Sequence, residues 1–267
     1  MGDSLEGKVA IVTGASRGIG EAIARLFARE GAAVAVSART EQQADERLPG
    51  TIHETVKSIE GEGGRAVAIR ADLALPEDRQ RLIDETRDKL GPIDILVNNA
   101  AVTYFIPVDE FPEKRYRLMF EVQVRAPFEL SQLVLPDMRA KKQGWILNIS
   151  SGAARHPQPG MGRAGRGGTV YGMCKAALER LSSGLAAELY EDNIAVNALS
   201  PSGLVETPGT VLHHLTDFVP KENREPAELM AEAALVLCNG DPKKVTGKVT
   251  YTKPILEELK PEALAKS

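Results

Sequence analysis

The chain has 267 residues, 43% hydrophobic and 26% charged, with a formal net charge of −4. That length suits one large α/β domain, 1–267, able to bury about three quarters of the surface its unfolded form exposes. Basic residues are scattered, densest at Arg139, Lys141 and Lys142, and no run nears the ~18 apolar residues of a membrane span, so neither nucleic acid nor bilayer is an expected partner.

In chain order, Val9, Ile11 and Val12 predict a buried strand at 8–13. It breaks into Thr13-Gly14-Ala15-Ser16-Arg17-Gly18-Ile19-Gly20, after which Ile19, Ile23, Leu26 and Phe27 mark one face of a helix over 19–30. Strand, glycine turn and helix in that order form a cradle for nucleotide phosphates. The chain must turn tightly, bring bare backbone up to a pyrophosphate and let the helix pack closely on the sheet. Further strands are predicted at 33–37, 65–70, 93–98, 144–150, 194–199 and 247–251, alternating with helices at 51–61, 76–90, 112–139, 171–191 and 226–239. Parallel strands joined by helical crossovers give a doubly wound Rossmann-type fold, a mainly parallel sheet of about seven strands with helices on both faces.

Three stretches interrupt the alternation. The segment 39–50 is long and polar; 152–169 is rich in glycine and arginine (Arg155, Arg163, Arg166; Gly160, Gly162, Gly165, Gly167, Gly168); 200–224 carries the apolar Val211, Leu212, Leu215 and Phe218. The last two follow the carboxyl ends of strands, where open α/β sheets bind ligands, and are expected to wall a substrate site. Cys174 and Cys238 have no metal-ligand spacing, and the first six residues carry acids and no apolar core, so a reducing, cytoplasmic setting is expected.

Tyr171 and Lys175 lie four apart at the start of a helical pattern and so share one face. An ammonium beside a phenol favours the phenolate, and is expected to bring Tyr171 towards a useful range for acid/base work. With this pair in place, the chain resembles the short-chain dehydrogenase/reductase superfamily across about residues 6–250. Thr13 to Gly20 matches its TGxxxGxG turn, Asn98-Asn99-Ala100-Ala101 its NNAG, Asn148-Ile149-Ser150-Ser151 its catalytic-serine strand end, and Tyr171 to Lys175 its YxxxK.

The resemblance implies an alcohol/carbonyl oxidoreductase. Ser151, favoured over Ser150, would hydrogen-bond the substrate carbonyl. Tyr171 would exchange the hydroxyl proton, and Lys175 would hold the nicotinamide ribose while lowering the Tyr171 pKa. Gln123 stands where the family usually carries the asparagine of its catalytic tetrad, and its extra methylene puts the water relay to Lys175 in doubt. The implied cofactor contacts are Gly14, Ser16, Arg17, Ile19, Gly20, Arg39, Asp72, Leu73, Asn99, Ala100, Val205 and Thr207, with Tyr171 and Lys175. Ala38 and Arg39 occupy the place where NAD-selective relatives put an acid, and Arg17 lies within the glycine turn, so NADP(H) is expected over NAD(H). Asp72 could equally be a capping turn residue.

Other departures are Ala101 in NNAA, Pro201-Ser202-Gly203-Leu204-Val205-Glu206-Thr207 with one residue more than PGxVxT, and Thr246-Gly247-Lys248-Val249 without VDGG. The interval from Ser151 to Tyr171 is longer than usual. That interval and Pro49-Gly50-Thr51-Ile52 look most like the hydroxysteroid-dehydrogenase-like and citronellol-dehydrogenase-like branch, which implies a small apolar alcohol or carbonyl as substrate. Two alternatives stand beside it: an anionic substrate clamped by Arg163 and Arg166, and an NADP(H)-binding sensor or scaffold with impaired catalysis. The superfamily generally assembles through its long helices, so a homodimer or homotetramer is implied.

Overall fold

A computed structural model describes residues 2–42, 47–159, 167–217 and 219–266. Its elements in chain order are β1 (Val9–Thr13), α1 (Gly18–Arg29), β2 (Ala33–Ala38), α2 (Ile52–Gly61), β3 (Arg65–Arg70), α3 (Pro76–Leu90) and β4 (Ile95–Asn98). Then come α4 (Glu113–Phe120), α5 (Ala126–Lys141), β5 (Gly144–Ile149), α6 (Thr169–Glu188), β6 (Ile194–Ser200), β7 (Leu204–Val205) and α7 (Pro208–Leu212). The chain closes with β8 (Arg224–Glu225), α8 (Ala227–Leu237), α9 (Pro242–Val245), β9 (Val249–Tyr251) and α10 (Thr252–Leu259).

Seven strands form one sheet in the order β3-β2-β1-β4-β5-β6-β9, and every pairing in it is parallel. The order reverses between β1 and β4, which places a crevice above their carboxyl ends. Alternation along each strand sorts the core into two layers. Ala10, Val12, Ile95 and Val97 face Ile23 and Phe27 of α1, Ile59 of α2 and Met230 of α8. Ile11 and Leu96 face Leu82 of α3, Leu130 and Val134 of α5 and Ala186 of α6.

The helix predicted as one piece over 112–139 is interrupted. Glu121–Arg125 forms a π-helical turn between α4 and α5, with the Ala126 N–H donating to Glu121 O, and α5 runs on to Lys141. Pro127 follows at once. It has no N–H for the carbonyl of Gln123 four residues back, so a regular ladder could not continue through this point in any case.

The stretch 200–224, expected to be irregular, is largely built. Thr207 caps α7 in a capping box with Thr210, β7 pairs with β8, and 3₁₀ turns span Leu215–Asp217 and Lys221–Asn223. Phe218 and, in the other loop, Gly160, Gly162, Arg163, Gly165 and Arg166 lie outside the described residues, so the arginine clamp does too. The tail is also built: α10 buries Ile255 and Leu256 completely in the core that contains α8. Among the described residues, no helix is long and apolar enough to cross a membrane and no cluster of side chains could hold a metal.

Candidate active site

The glycine turn is bolted to the end of β4. Thr13 Oγ1 donates to Val97 O (3.1 Å) and accepts from the N–H groups of Asn99 (3.0 Å) and Ala100 (3.1 Å). Asn99 Nδ2 in turn donates to Thr13 O (2.8 Å) and Gly14 O (3.2 Å). Two glycines are required by this contact. Gly14 has φ +65°, and a Cβ on it would stand 2.8 Å from Ala100 Cα; a Cβ on Gly20 would stand 2.4 Å from Asn99 Nδ2.

Arg17 precedes α1 in extended conformation with no side-chain cap, so the first N–H groups of this twelve-residue helix face the crevice unmasked by a cap. A cavity of about 190 Å³ opens there, lined among others by Gly14, Ser16, Arg17, Arg39, Asp72, Leu73, Asn99 and Ala100. Ile19, Gly20, Val205 and Thr207 are not among its lining residues. Thr207 nonetheless reaches the turn, since a Cβ on Gly18 would meet its methyl at 2.9 Å, whereas Val205 is buried in the small β7–β8 pair.

Arg17 Nη2 donates to Gly50 O (2.8 Å). Arg39 is exposed at the cavity wall, and among the described residues no carboxylate pairs with it. Asp72 does the turn-residue work as well as lining the cavity: its Oδ1 accepts from Ala74 N (3.1 Å). A tight glycine turn and an uncapped helix start, with the exposed Arg39 guanidinium at the cavity wall, fit a nicotinamide dinucleotide.

At the other end of the crevice, α6 presents Tyr171 and Lys175. The two candidate serines at the end of β5 separate cleanly. Ser150 Oγ donates to Glu179 Oε1 (2.7 Å) and is buried, whereas the Ser151 hydroxyl hydrogen-bonds the Tyr171 phenol. Lys175 is buried, its Nζ donates to Ile149 O (2.8 Å), and it lies 5.6 Å from the Tyr171 ring centroid.

The expected effect of Lys175 on Tyr171 is not met. Burial pushes the half-buried phenol above its ordinary range, and the hydrogen bond from Ser151 offsets part of that rise; Lys175 does not figure among the causes. The ammonium itself bears the larger consequence of burial and is pushed down to about 8. Between pH 8 and 10.5 the unfolded chain therefore holds a proton on Lys175 that the folded chain has lost. Folding stability should rise with pH across that window by about 3 kcal/mol from this group. Urea titrations of wild type and Lys175→Met check it; parallel pH curves for the two proteins would count against the assignment.

Gln123 lies in the π-helical turn, 1% exposed. Its Nε2 donates to Val102 O (2.8 Å), and its buried Oε1 has no partner among the described residues. The longer amide thus grips the segment after β4, and one acceptor is left inside the site.

Four residues that matter here gave no recognisable sequence signal. Phe105 and His213 pack against the Tyr171 side of the crevice. Glu179 holds Ser150. Glu225, 5% exposed and with its carboxyl pushed up by burial, accepts from Ser202 N (3.2 Å), Gly203 N (3.3 Å) and Thr252 Oγ1 (2.8 Å).

The family model for short chain dehydrogenases matches residues 8–213. The 7alpha-hydroxysteroid dehydrogenase of Escherichia coli (strain K12) is 36% identical over 252 residues, covering 92% of this chain and 92% of that protein. Dehydrogenase/reductase SDR family member 4 of Homo sapiens is 34% identical over 250 residues, covering 93% of this chain and 82% of the relative. The crystal structure of L-sorbose reductase from Gluconobacter frateurii, complexed with NADPH and L-sorbose, superposes with a TM-score of 0.79 at 30% identity, over 94% of this chain and 97% of that one. With a parallel sheet, a glycine turn at its switch point and Ser151, Tyr171 and Lys175 gathered beside the end of β5, and with these likenesses over nearly its whole length, the chain belongs to the short chain dehydrogenase family and is an oxidoreductase of CH–OH groups.

Proposed function

We propose that this chain is an NADP(H)-dependent oxidoreductase that interconverts an alcohol and a carbonyl on a small, apolar substrate, with Ser151, Tyr171 and Lys175 as its working groups. One observation carries the reading: the Ser151 hydroxyl, the Tyr171 phenol and the Lys175 ammonium come together beside the end of β5, and Val102, which packs in one cluster with Tyr171, also lines the cavity that holds the glycine turn and Arg39. A bound nicotinamide supplies or accepts the hydride. The chain's own residues bind, orient and move the proton.

Ser151 donates a hydrogen bond to the substrate carbonyl oxygen, and Tyr171 delivers its phenolic proton to that oxygen as the alcohol forms; oxidation runs the same transfer backwards. Lys175 is cationic below about pH 8 and lies 5.6 Å from the Tyr171 ring centroid. Its Ile149 bond orients the ammonium, whose remaining protons are available to a ribose hydroxyl. Gln123 holds Val102 and keeps a buried acceptor for a water.

Arg39 sets the choice of nucleotide by meeting a 2′-phosphate that an acid at this place would repel. A charge-assisted hydrogen bond is worth about 1.5–3 kcal/mol, so Arg39→Ala should lower the NADPH-over-NADH preference in kcat/KM by about 10- to 100-fold. The same assay, NADPH consumption with a panel of aldehydes and ketones, tests the whole reading. Tight nucleotide binding with no carbonyl reduced would favour the sensor or scaffold instead. A homodimer or homotetramer built on α5 and α6 belongs to this reading, with Phe128 (48% exposed) and Met173 (44%) on those helices open to a second copy. So does a cytoplasmic setting, in which the buried Cys174 and Cys238 stay free thiols.

A further inference from the structure

We infer that Phe105 determines which carbonyls this site accepts, and that it selects substrates with a bulky apolar ring or branch beside the carbonyl. The inference rests on the reading of Tyr171 as proton donor. The Phe105 ring meets the Tyr171 ring edge-on, with centroids 5.9 Å apart and planes at 68°, and meets the His213 ring in the same way at 5.9 Å and 83°. Tyr171 belongs to α6 and His213 ends α7, so one side chain of the segment after β4 joins the chemistry to the wall formed by 200–224.

Its backbone is pinned from both sides. Three residues earlier, Val102 O is held by Gln123 Nε2 (2.8 Å). Against its own carbonyl lies Gly167, in the left-handed region at φ +85°, where a Cβ would come within 2.9 Å of the Phe105 carbonyl carbon. The ring is thus a placed wall rather than a wandering side chain.

These contacts do not use up its surface. Phe105 remains 39% exposed, and Val211, two residues before His213, remains 48% exposed. A large apolar side chain held open beside a reacting hydroxyl is stabilised by whatever apolar surface covers it. Tyr171, which the ring meets, itself packs with Val102, Tyr104 and Val170 in one small apolar cluster. A carbonyl hydrogen-bonded by Ser151 and Tyr171 therefore turns one of its two substituents towards Phe105. A ring or branched chain there covers the exposed face, and a methyl or hydrogen leaves it in water. The Phe105 ring offers no hydrogen bond to a polyol substituent, which would lose its water there without replacement.

The test compares kcat/KM for a bulky cyclic ketone and a short aliphatic aldehyde, with the full chain and saturating NADPH. Phe105→Ala should lower the bulky-to-small ratio by about tenfold or more, mainly through KM. Phe105→Leu should fall between, and His213→Ala should lower the ratio less, because the ring stays but loses one of its supports. An unchanged ratio in Phe105→Ala overturns the proposal, as does an equal loss of kcat on both substrates without a change in KM. If Phe105→Ala does not fold, Phe105→Leu decides by the same ratio. Wild type that reduces neither substrate nor any other carbonyl refutes the underlying oxidoreductase reading and the inference with it, an outcome distinct from a flat ratio in an active enzyme.

Discussion

Tyr171→Phe should lower kcat by about 10²- to 10⁴-fold, the range that a positioned acid/base group contributes, while NADPH still binds with a Kd close to that of wild type. The change removes one oxygen from a ring whose carbon frame also touches Phe105, so the aromatic packing survives and the fold is not at issue. What is lost is the phenol that hydrogen-bonds Ser151. Because burial holds this phenol above its ordinary range, it stays protonated through neutral pH and is suited to giving its proton to a nascent alkoxide. Carbonyl reduction should accordingly hold its rate from neutral into mildly alkaline pH and fall as the phenol ionises; alcohol oxidation should gain over the same rise. Single-turnover rates with NADPH, and fluorescence titration for its binding, check both halves. A variant with undiminished turnover places the proton donor elsewhere.

Arg79→Ala should destabilise the protein by about 3 kcal/mol, with Tm lower by about 6–12 °C for a chain of this size. The Arg79 side chain is completely buried between α3 and the π-helical turn, with Nη2 2.8 Å from Glu121 Oε1 and Nε 3.0 Å from Glu129 Oε2. Removing it leaves two carboxylates short of their central cation, together with a void the size of a long side chain. The loss sits at the lower end of what breaking a buried pair produces, because Glu121 and Glu129 are each about a quarter exposed and Arg125 also pairs with them at 3.7 and 2.7 Å. Arg79→Lys should recover only part of it, since an ammonium cannot reach both acids with the guanidinium's fixed fork. Chemical denaturation measures the difference; a loss below about 1 kcal/mol would mean that Arg125 alone suffices. Glu121 opens the turn that carries Gln123, so the same variant should also loosen the segment that Gln123 grips through Val102.

The sheet was legible because each strand announces itself by composition and each crossover by helical spacing. Val9, Ile11 and Val12 read as buried on both faces, and Ala10 and Val12 do face one layer while Ile11 faces the other. The glycine turn was legible for a different reason: glycines that a Cβ would drive into Ala100 or Asn99 leave a spacing in the chain. Less legible was anything decided by partners distant in sequence. In the slip at Glu121–Arg125, Glu121 pairs with Arg79 and Gln123 with Val102, partners that periodicity does not register. Ile255 and Leu256 form a helix because α8 gives them a surface to bury, and nothing nearby in sequence indicates that surface. The charge on Lys175 could be read as a neighbour of Tyr171, but the burial of both groups could not, and burial dominates the Tyr171 pKa. Phe105 looked like one aromatic in an unremarked loop, since its value lies in meeting two rings from other segments.

The carboxylate of Glu225 has a consequence for how this enzyme could diversify. Through it the hydroxyl that starts the final helix is wired to the amides of Ser202 and Gly203, and Lys253 N adds a second tie by donating to Ser202 Oγ (2.9 Å). The start of α10 is therefore a tensioning cable for the turn at Ser202 and Gly203. A change at Thr252 or Lys253 reaches Ser202 and Gly203 through hydrogen bonds, and through them the stretch 200–224, without altering either residue directly.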